Sequence, residues 1–210
     1  MLSGVESSAL PRVLTDEAVG EFREKLVDAA ERLFAQHGLE AVTMRQLATE
    51  LGVSPMTPYR YFADKDAILT AVRTRAFNRH AEALEQAFEG GANTVERANA
   101  VGRAYLDFAL SHPEAYKLMF DIKLPDDAAH PELVAAGARS RATMTAHLKA
   151  MIDAGVLKGD PDLIGHMFWS ALHGAIQLQL AGLLSPPFDA ERLSGEIMRT
   201  LWVGLNAAPA

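Results

Sequence analysis

Thr43-Met-Arg-Gln-Leu-Ala-Thr-Glu-Leu-Gly-Val-Ser-Pro-Met-Thr-Pro-Tyr-Arg-Tyr-Phe-Ala-Asp-Lys65 decides how the rest of the chain is read. Thr43 and Gln46 have the spacing of a capping box, in which each side chain satisfies a backbone group left free at a helix start. A helix is therefore expected from Met44 to about Leu51. Gly52 can take the left-handed conformation that closes a helix, and Val53 supplies an apolar plug behind it. Ser54 then serves as the next N-cap, with Pro55 in a first turn where a missing N–H costs nothing, so a second helix is expected from about Pro55 to Phe62. Leu47, Ala48, Leu51, Val53 and Phe62 give the pair one apolar side, and Ala48 is small enough for the helices to cross closely. That is the pattern of a helix-turn-helix. A second helix of this length would span about 13 Å at about 1.5 Å per residue, which suits a DNA major groove about 12 Å wide.

An ordinary helical hairpin would share the Ala48 and Gly52 spacing, so the outward chemistry has to separate the two readings. Arg45, Tyr59, Arg60, Tyr61 and Lys65 project from this small unit as donors for phosphate and guanine, away from its apolar side. Pro58 strains the pattern. Lying four residues beyond Ser54, it has no N–H for the Ser54 carbonyl and disfavours helical geometry at Thr57, so a tight or kinked first turn is expected.

With these residues in place, Phe22 to about Phe77 resembles the N-terminal DNA-binding domain of a TetR-family transcriptional regulator. The likeness rests on the opening helix Arg23-Glu-Lys-Leu-Val-Asp-Ala-Ala-Glu-Arg-Leu-Phe-Ala-Gln-His-Gly38, the hinge Leu51-Gly52-Val53-Ser54, and the stretch Tyr59-Arg-Tyr-Phe-Ala-Asp-Lys-Asp-Ala-Ile-Leu69. It implies that Arg45, Pro55, Met56, Tyr59 and Arg60 lie at or near base edges of double-stranded DNA. Thr43, Thr57, Tyr61 and Lys65 would hold the phosphate backbone. Pro58 departs from the family pattern, which usually has Leu there.

The chain has 210 residues, 49% of them hydrophobic, and no cysteine. It is long and apolar enough for a sizeable core, while a disulfide scaffold and cysteine-ligated zinc are excluded and a reducing cytoplasm fits. Residues 1–20 lack a basic start and a long apolar run, and read as a flexible arm rather than a signal peptide. Residues 21–66 are then the helix-turn-helix domain and 67–210 a helical ligand-binding and dimerisation domain. The net charge of −7 suits a DNA binder only because it is unevenly distributed. Residues 43–79 carry six basic against three acidic side chains, whereas residues 81–210 carry ten against sixteen. The local field at the contact surface decides binding.

Beyond residue 65 the pattern is all-α, with apolar periodicity broken by Gly and Pro. Helices are expected at about Lys65–Phe88, from the Asn93 cap to Leu110, at Pro113–Phe120, at Pro131–Asp153, from the Asp160-Pro161 cap to Leu184, and at Ala190–Leu205, with a loop at Lys123–His130. Leu163 to Leu184 holds no Asp, Glu, Lys or Arg. Its scattered His, Ser and Gln residues, without a basic flank, favour a helix buried on most sides over a membrane span. Gly165, Ala171, Gly174, Ala175 and Gly182 would admit a close neighbour.

Trp169, His173 and Gly174 resemble the Trp-His-Gly signature of a TetR subgroup, which implies a homodimer through Trp169, His173, Gly174 and Gln177 of this helix with Leu193, Ile197 and Leu201 of the last. A metal site at Asp162, His166 and His173 lacks the paired ligand spacing such sites use, so no metal and no cofactor are expected. A pocket for a small apolar or amphipathic effector is expected among Phe77, Tyr105, Phe108, Tyr116, Met119 and Phe120, together with Met144, His147, Met167 and Phe168. No nucleophile elbow, phosphate loop, HExxH or paired-carboxylate arrangement points to an enzyme. The expected function is a homodimeric repressor released from a palindromic operator by its effector; the alternatives are an effector-free or architectural DNA-binding protein and, behind it, a helical enzyme.

Overall fold

Thr15 accepts a hydrogen bond from the Ala18 N–H at 3.2 Å and so starts α1 (Asp16–His37), with Asp16 and Glu17 in its first turn. Acidic groups there complement the positive end of the helix dipole. Residues 16–20, expected as the end of the arm, are helical because this cap recruits them; residues 1–14 lie outside the described residues. The computed structural model describes residues 15–120 and 127–207, and every regular element among them is helical. The chain divides into two compact units between Ile68 and Leu69.

In the first unit α1 buries Leu26, Ala30, Leu33 and Phe34 along one stripe and packs on α2 (Met44–Glu50), whose Leu47 and Ala48 are also buried. The capping box forms in full: the Thr43 N–H donates to Gln46 Oε1 at 2.8 Å, and the Gln46 N–H donates to Thr43 Oγ1 at 3.3 Å. Thr43→Ala should lower the stability of the full chain by about 1 kcal/mol. A urea midpoint unchanged by the substitution would contradict this. Gly52 has φ +66°, and the Val53 N–H reaches the Ala48 carbonyl at 2.9 Å while the Gly52 N–H reaches Thr49 at 3.1 Å. Such a closure requires a residue without a Cβ penalty.

The second helix of the pair differs from the expectation. Instead of Pro55–Phe62, only Pro58–Arg60 is helical, as a single 3-10 turn. The Ser54 carbonyl cannot be reached by Pro58, which has no N–H, and takes the Thr57 N–H instead at 2.9 Å. The tighter pattern continues from Arg60 to Thr57 at 3.1 Å and from Tyr61 to Pro58 at 3.0 Å. Thr57 itself keeps helical angles, φ −62° and ψ −46°, so the proline acts through the missing donor and not through the dihedral of its neighbour. The Ser54 hydroxyl meets the Thr57 hydroxyl at 3.1 Å. A 3-10 turn of three residues rises about 6 Å, roughly half of what the full helix would span.

α3 (Lys65–Gly90) runs across the boundary into the second unit, where α4 (Thr94–Ser111), α5 (Pro113–Phe120), α6 (Pro131–Asp153), α7 (Pro161–Leu180) and α8 (Ala190–Ala207) follow. Asn93 accepts from the Glu96 N–H at 3.0 Å and Asp160 from the Asp162 N–H at 2.9 Å, which fixes the starts of α4 and α7. The first half of the expected 123–130 loop lies outside the described residues, and its second half contains a 3-10 turn at Asp127–Ala129. α7 stops four residues earlier than expected. Gly182, at φ +68°, sends its N–H to Gln179, and Leu183 sends its own to Leu178, both at 2.9 Å, which closes the helix before the prolines are reached. No helix among the described residues is long and apolar enough to cross a membrane.

Tyr116, Leu84, Ile176, Tyr105 and Ala109 form the centre of the second unit, all at most 2% exposed. Gly165 is where α7 meets α6: a Cβ there would lie 2.9 Å from the Thr145 methyl. At Gly174, by contrast, an added Cβ would meet nothing within 4 Å.

Candidate functional site

The outward face of the first unit is built from α2 and the 3-10 turn. Arg45, in the first turn of α2, is exposed, as are Pro55, Met56, Tyr59 and Arg60. Neither Arg45 nor Arg60 meets a carboxylate among the described residues, so both guanidinium groups are available to acceptors outside the chain. Glu50, one of the three acids of this region, is held instead by Arg32 of α1 at 3.3 Å. Thr43 and Thr57 are engaged in the cap and in the hydroxyl pair described above. Lys65 is half-buried and donates to the Leu39 carbonyl at 3.1 Å, so it braces the start of α3 against the α1–α2 connection.

Arg23 and Phe22 on α1 form a clamp that the sequence reading did not single out. The Arg23 guanidinium donates to the Tyr61 carbonyl and lies 4.1 Å from the Phe62 ring centroid, while Phe22 packs on Tyr61 at 4.6 Å. Tyr61 is therefore half-buried and tied to α1 as well as standing near the reading face. The signal for this clamp is an aromatic-basic pair in the second turn of α1, which local helix logic treats as surface.

The second unit holds a half-open cavity of about 670 Å³. Of the ten residues expected to form a pocket, Tyr105, Met144, His147 and Phe168 line it. Phe77, Phe108, Tyr116 and Met119 are buried among core side chains, Phe120 packs partly buried against that core, and Met167 is exposed on α7. Trp169 lines the cavity too, joined by Ser194, Met198 and Trp202. These last three recur every fourth residue along α8, one stripe away from Leu193, Ile197 and Leu201, which are half-buried. A helix turns about 100° per residue, so a one-residue offset separates two faces.

Trp169 and His173 are bonded within their own bundle. The indole N–H donates to the Tyr105 hydroxyl at 2.9 Å, the Tyr105 and Tyr116 hydroxyls meet at 2.7 Å, and Tyr116 lies 2.6 Å from His173 Nδ1. Burial pushes the Tyr105 phenol up to about 12, so it stays protonated within this chain of bonds. Gln177 continues the line from His173, with its amide 3.5 Å from Nε2. His166 Nδ1 lies 2.7 Å from the Asp162 backbone oxygen, and among the described residues no group of three His, Asp or Glu stands close enough to hold a metal.

Set against known families, residues 26–72 match the family described as bacterial regulatory proteins, tetR family, and residues 98–201 match the tetracyclin repressor-like C-terminal domain. The chain belongs to the TetR family. It is a DNA-binding transcriptional regulator. The HTH-type transcriptional regulator Rv0681 of Mycobacterium tuberculosis is 26% identical over 185 residues, covering 88% of this chain and 81% of that protein. A solved protein of unknown function from Rhodococcus sp. RHA1 is 31% identical with a TM-score of 0.78, covering 87% of this chain and 94% of its own. FadR from Bacillus subtilis, solved with stearoyl-CoA, shares the fold at 17% identity and a TM-score of 0.70, covering 86% of this chain and 98% of its own.

Proposed function

We propose that this TetR-family regulator is a homodimeric repressor that holds a palindromic operator in the cytoplasm and releases it when a small apolar or amphipathic effector enters the cavity of the second unit. The observation that carries this reading is the course of α3, which starts at Lys65 beside the DNA-reading turn and has Leu84 in the cavity wall. A rigid element shared by two sites gives each a means of biasing the other. Recognition elements of a dimer must stand about 34–36 Å apart to enter successive major grooves, so a modest tilt of α3 in each subunit would spoil the spacing without unfolding anything.

Reading of bases is assigned to Arg45, Tyr59 and Arg60, with Pro55 and Met56 near base edges, and backbone contact to Thr43, Thr57, Tyr61 and Lys65. The shortness of the 3-10 turn gives Arg45 of α2 the largest share. Arg45→Ala should cost about 1–3 kcal/mol on the cognate operator and less on random DNA. Equal losses on both would reassign Arg45 to the phosphates. For the dimer, the support is the exposed Leu163, Met167 and Leu178 on the α7 face that carries Gly174, beside Leu193, Ile197 and Leu201 of α8. Trp169, His173 and Gly174 would then be the subgroup signature, with the first two supporting the face from inside and Gly174 lying on it.

The test is selection of bound DNA from a random pool, followed by titration of the recovered site with and without compounds that stabilise the protein. A palindrome whose affinity falls about 5–150-fold with a stabilising compound supports the reading, and linkage then requires the operator to weaken that compound by the same factor. Recovery of no preferred sequence would favour an architectural role.

A further inference from the structure

The cavity of the second unit separates its polar groups into two sets. Exposed charges of both signs line it, Arg103 and Arg199 beside Asp107 and Glu191, and Arg199 is already paired with Glu196. Cationic side chains alone would favour a carboxylate or phosphate. Here the opposing acids cancel that preference.

The less exposed polar groups of the wall are neutral. His147 Nδ1 lies 3.2 Å from the Thr143 backbone oxygen, and since a carbonyl only accepts, Nδ1 carries the proton. Burial holds this imidazole below its ordinary value, which keeps the ring uncharged. Its Nε2 therefore presents a lone pair, and no donor among the described residues reaches it. The indole N–H of Trp169 is spent on the Tyr105 hydroxyl, which is in turn bonded to the Tyr116 hydroxyl, so neither fills that role. Ser194, across on α8, has a buried hydroxyl with no partner among the described residues. The unmade hydrogen bond of the buried Ser194 hydroxyl is costly, whereas at half-buried His147 a ligand donor takes the place of solvent at Nε2.

We infer that the effector is an uncharged, largely apolar molecule bearing a hydroxyl group, whose O–H donates to His147 Nε2. This deepens the effector reading above and rests on it. A fatty-acid carboxylate has no proton to offer Nε2, and a neutral molecule without a donor leaves that lone pair unmet.

Three probes of one chain length separate these cases: 1-decanol, decyl methyl ether and decanoate, titrated calorimetrically into the full-length protein with its operator affinity followed in parallel. Decanol should bind about tenfold more tightly than the ether. His147→Phe, which keeps an aromatic ring but no acceptor, should bring decanol to the level of the ether and leave the ether within about twofold. His147→Gln, which returns an acceptor oxygen, should restore part of the preference. Tighter binding of decanoate than of decanol overturns the inference, as does an equal loss of all three probes in His147→Phe. If the ether binds as well as the alcohol and both release operator, the hydroxyl inference fails while the effector reading stands. If no probe binds, the inference fails, and the effector reading is decided by whether any other stabilising compound releases operator.

Discussion

Gly174→Arg should leave the subunit folded but monomeric, with operator affinity reduced by about a hundredfold or more. The first half follows from the isolated helix: an added Cβ meets nothing within 4 Å, and replacing glycine in a helix interior improves propensity by up to about 1 kcal/mol. A loss confined to assembly, with the subunit still folded, would therefore point to a contact outside the protomer. Gly174 is flanked on α7 by Ala171, Gln177 and the exposed Leu178, with Met167 two turns earlier. A guanidinium placed in an apolar seam between two copies would be buried without a partner, which costs more than such a seam gains at that point. A monomer keeps one half-site only and loses the avidity of the second, commonly worth a factor of about 10²–10⁴. Sedimentation and operator titration on the same sample decide the matter. A variant that remains dimeric with full operator affinity would move the interface off this face.

The second large effect is on stability in mild acid. His80 is fully buried, with its Nδ1 2.9 Å from the Ser140 hydroxyl and its ring edge-on to Tyr105 and Phe108 at 5.0 and 5.1 Å. Nε2 has no partner among the described residues. Burial pushes this imidazole down from 6.5 to about 4. The folded protein therefore holds it neutral while the unfolded chain takes up a proton, so its contribution is complete above pH 6.5 and is lost as pH falls toward 4. That interval corresponds to about 3 kcal/mol at full extent. His147, also held low by burial, adds in the same direction. Carboxylates titrate in the lower part of the window, so the informative quantity is the difference between the wild type and His80→Leu paired with Ser140→Ala. Unfolding free energies from pH 7 to 4 should fall less steeply in the variant, by about one proton. Parallel curves would mean that His80 is already charged in the folded protein.

Much of the architecture was legible because its signals are local. The Thr43 and Gln46 box, the Gly52 closure, and the Asn93 and Asp160 caps each depend on residues within five positions, and each forms with the geometry its spacing implies. The departures have local causes whose strength had to be weighed. Pro58 was visible as a disturbance, yet reducing eight helical residues to a three-residue turn depended on Thr57 capturing the Ser54 carbonyl. Gly182 has the sequence context of a packing glycine, yet it ends α7. Thr15 was hidden in an otherwise unpatterned stretch. The cavity was the least legible part, since aromatic and Met residues fill cores and pockets alike. Phe108 and Phe168 look equivalent in sequence, and only the packing of α4, α6, α7 and α8 sends one into the core and the other into the cavity wall. On α8 the leucine and isoleucine stripe is 193, 197 and 201, while the cavity takes 194, 198 and 202.

The chain has two tryptophans, and both Trp169 and Trp202 line the cavity. All intrinsic indole emission therefore originates at the wall of one site, with none from the DNA-reading unit. An effector that displaces water from these rings should move the emission to shorter wavelength, and Trp169→Phe and Trp202→Phe would apportion the change between α7 and α8. Operator DNA touches neither indole in the proposed arrangement. A spectral change on adding operator alone would thus be an unlabelled optical record of the conformational signal passing from DNA to cavity.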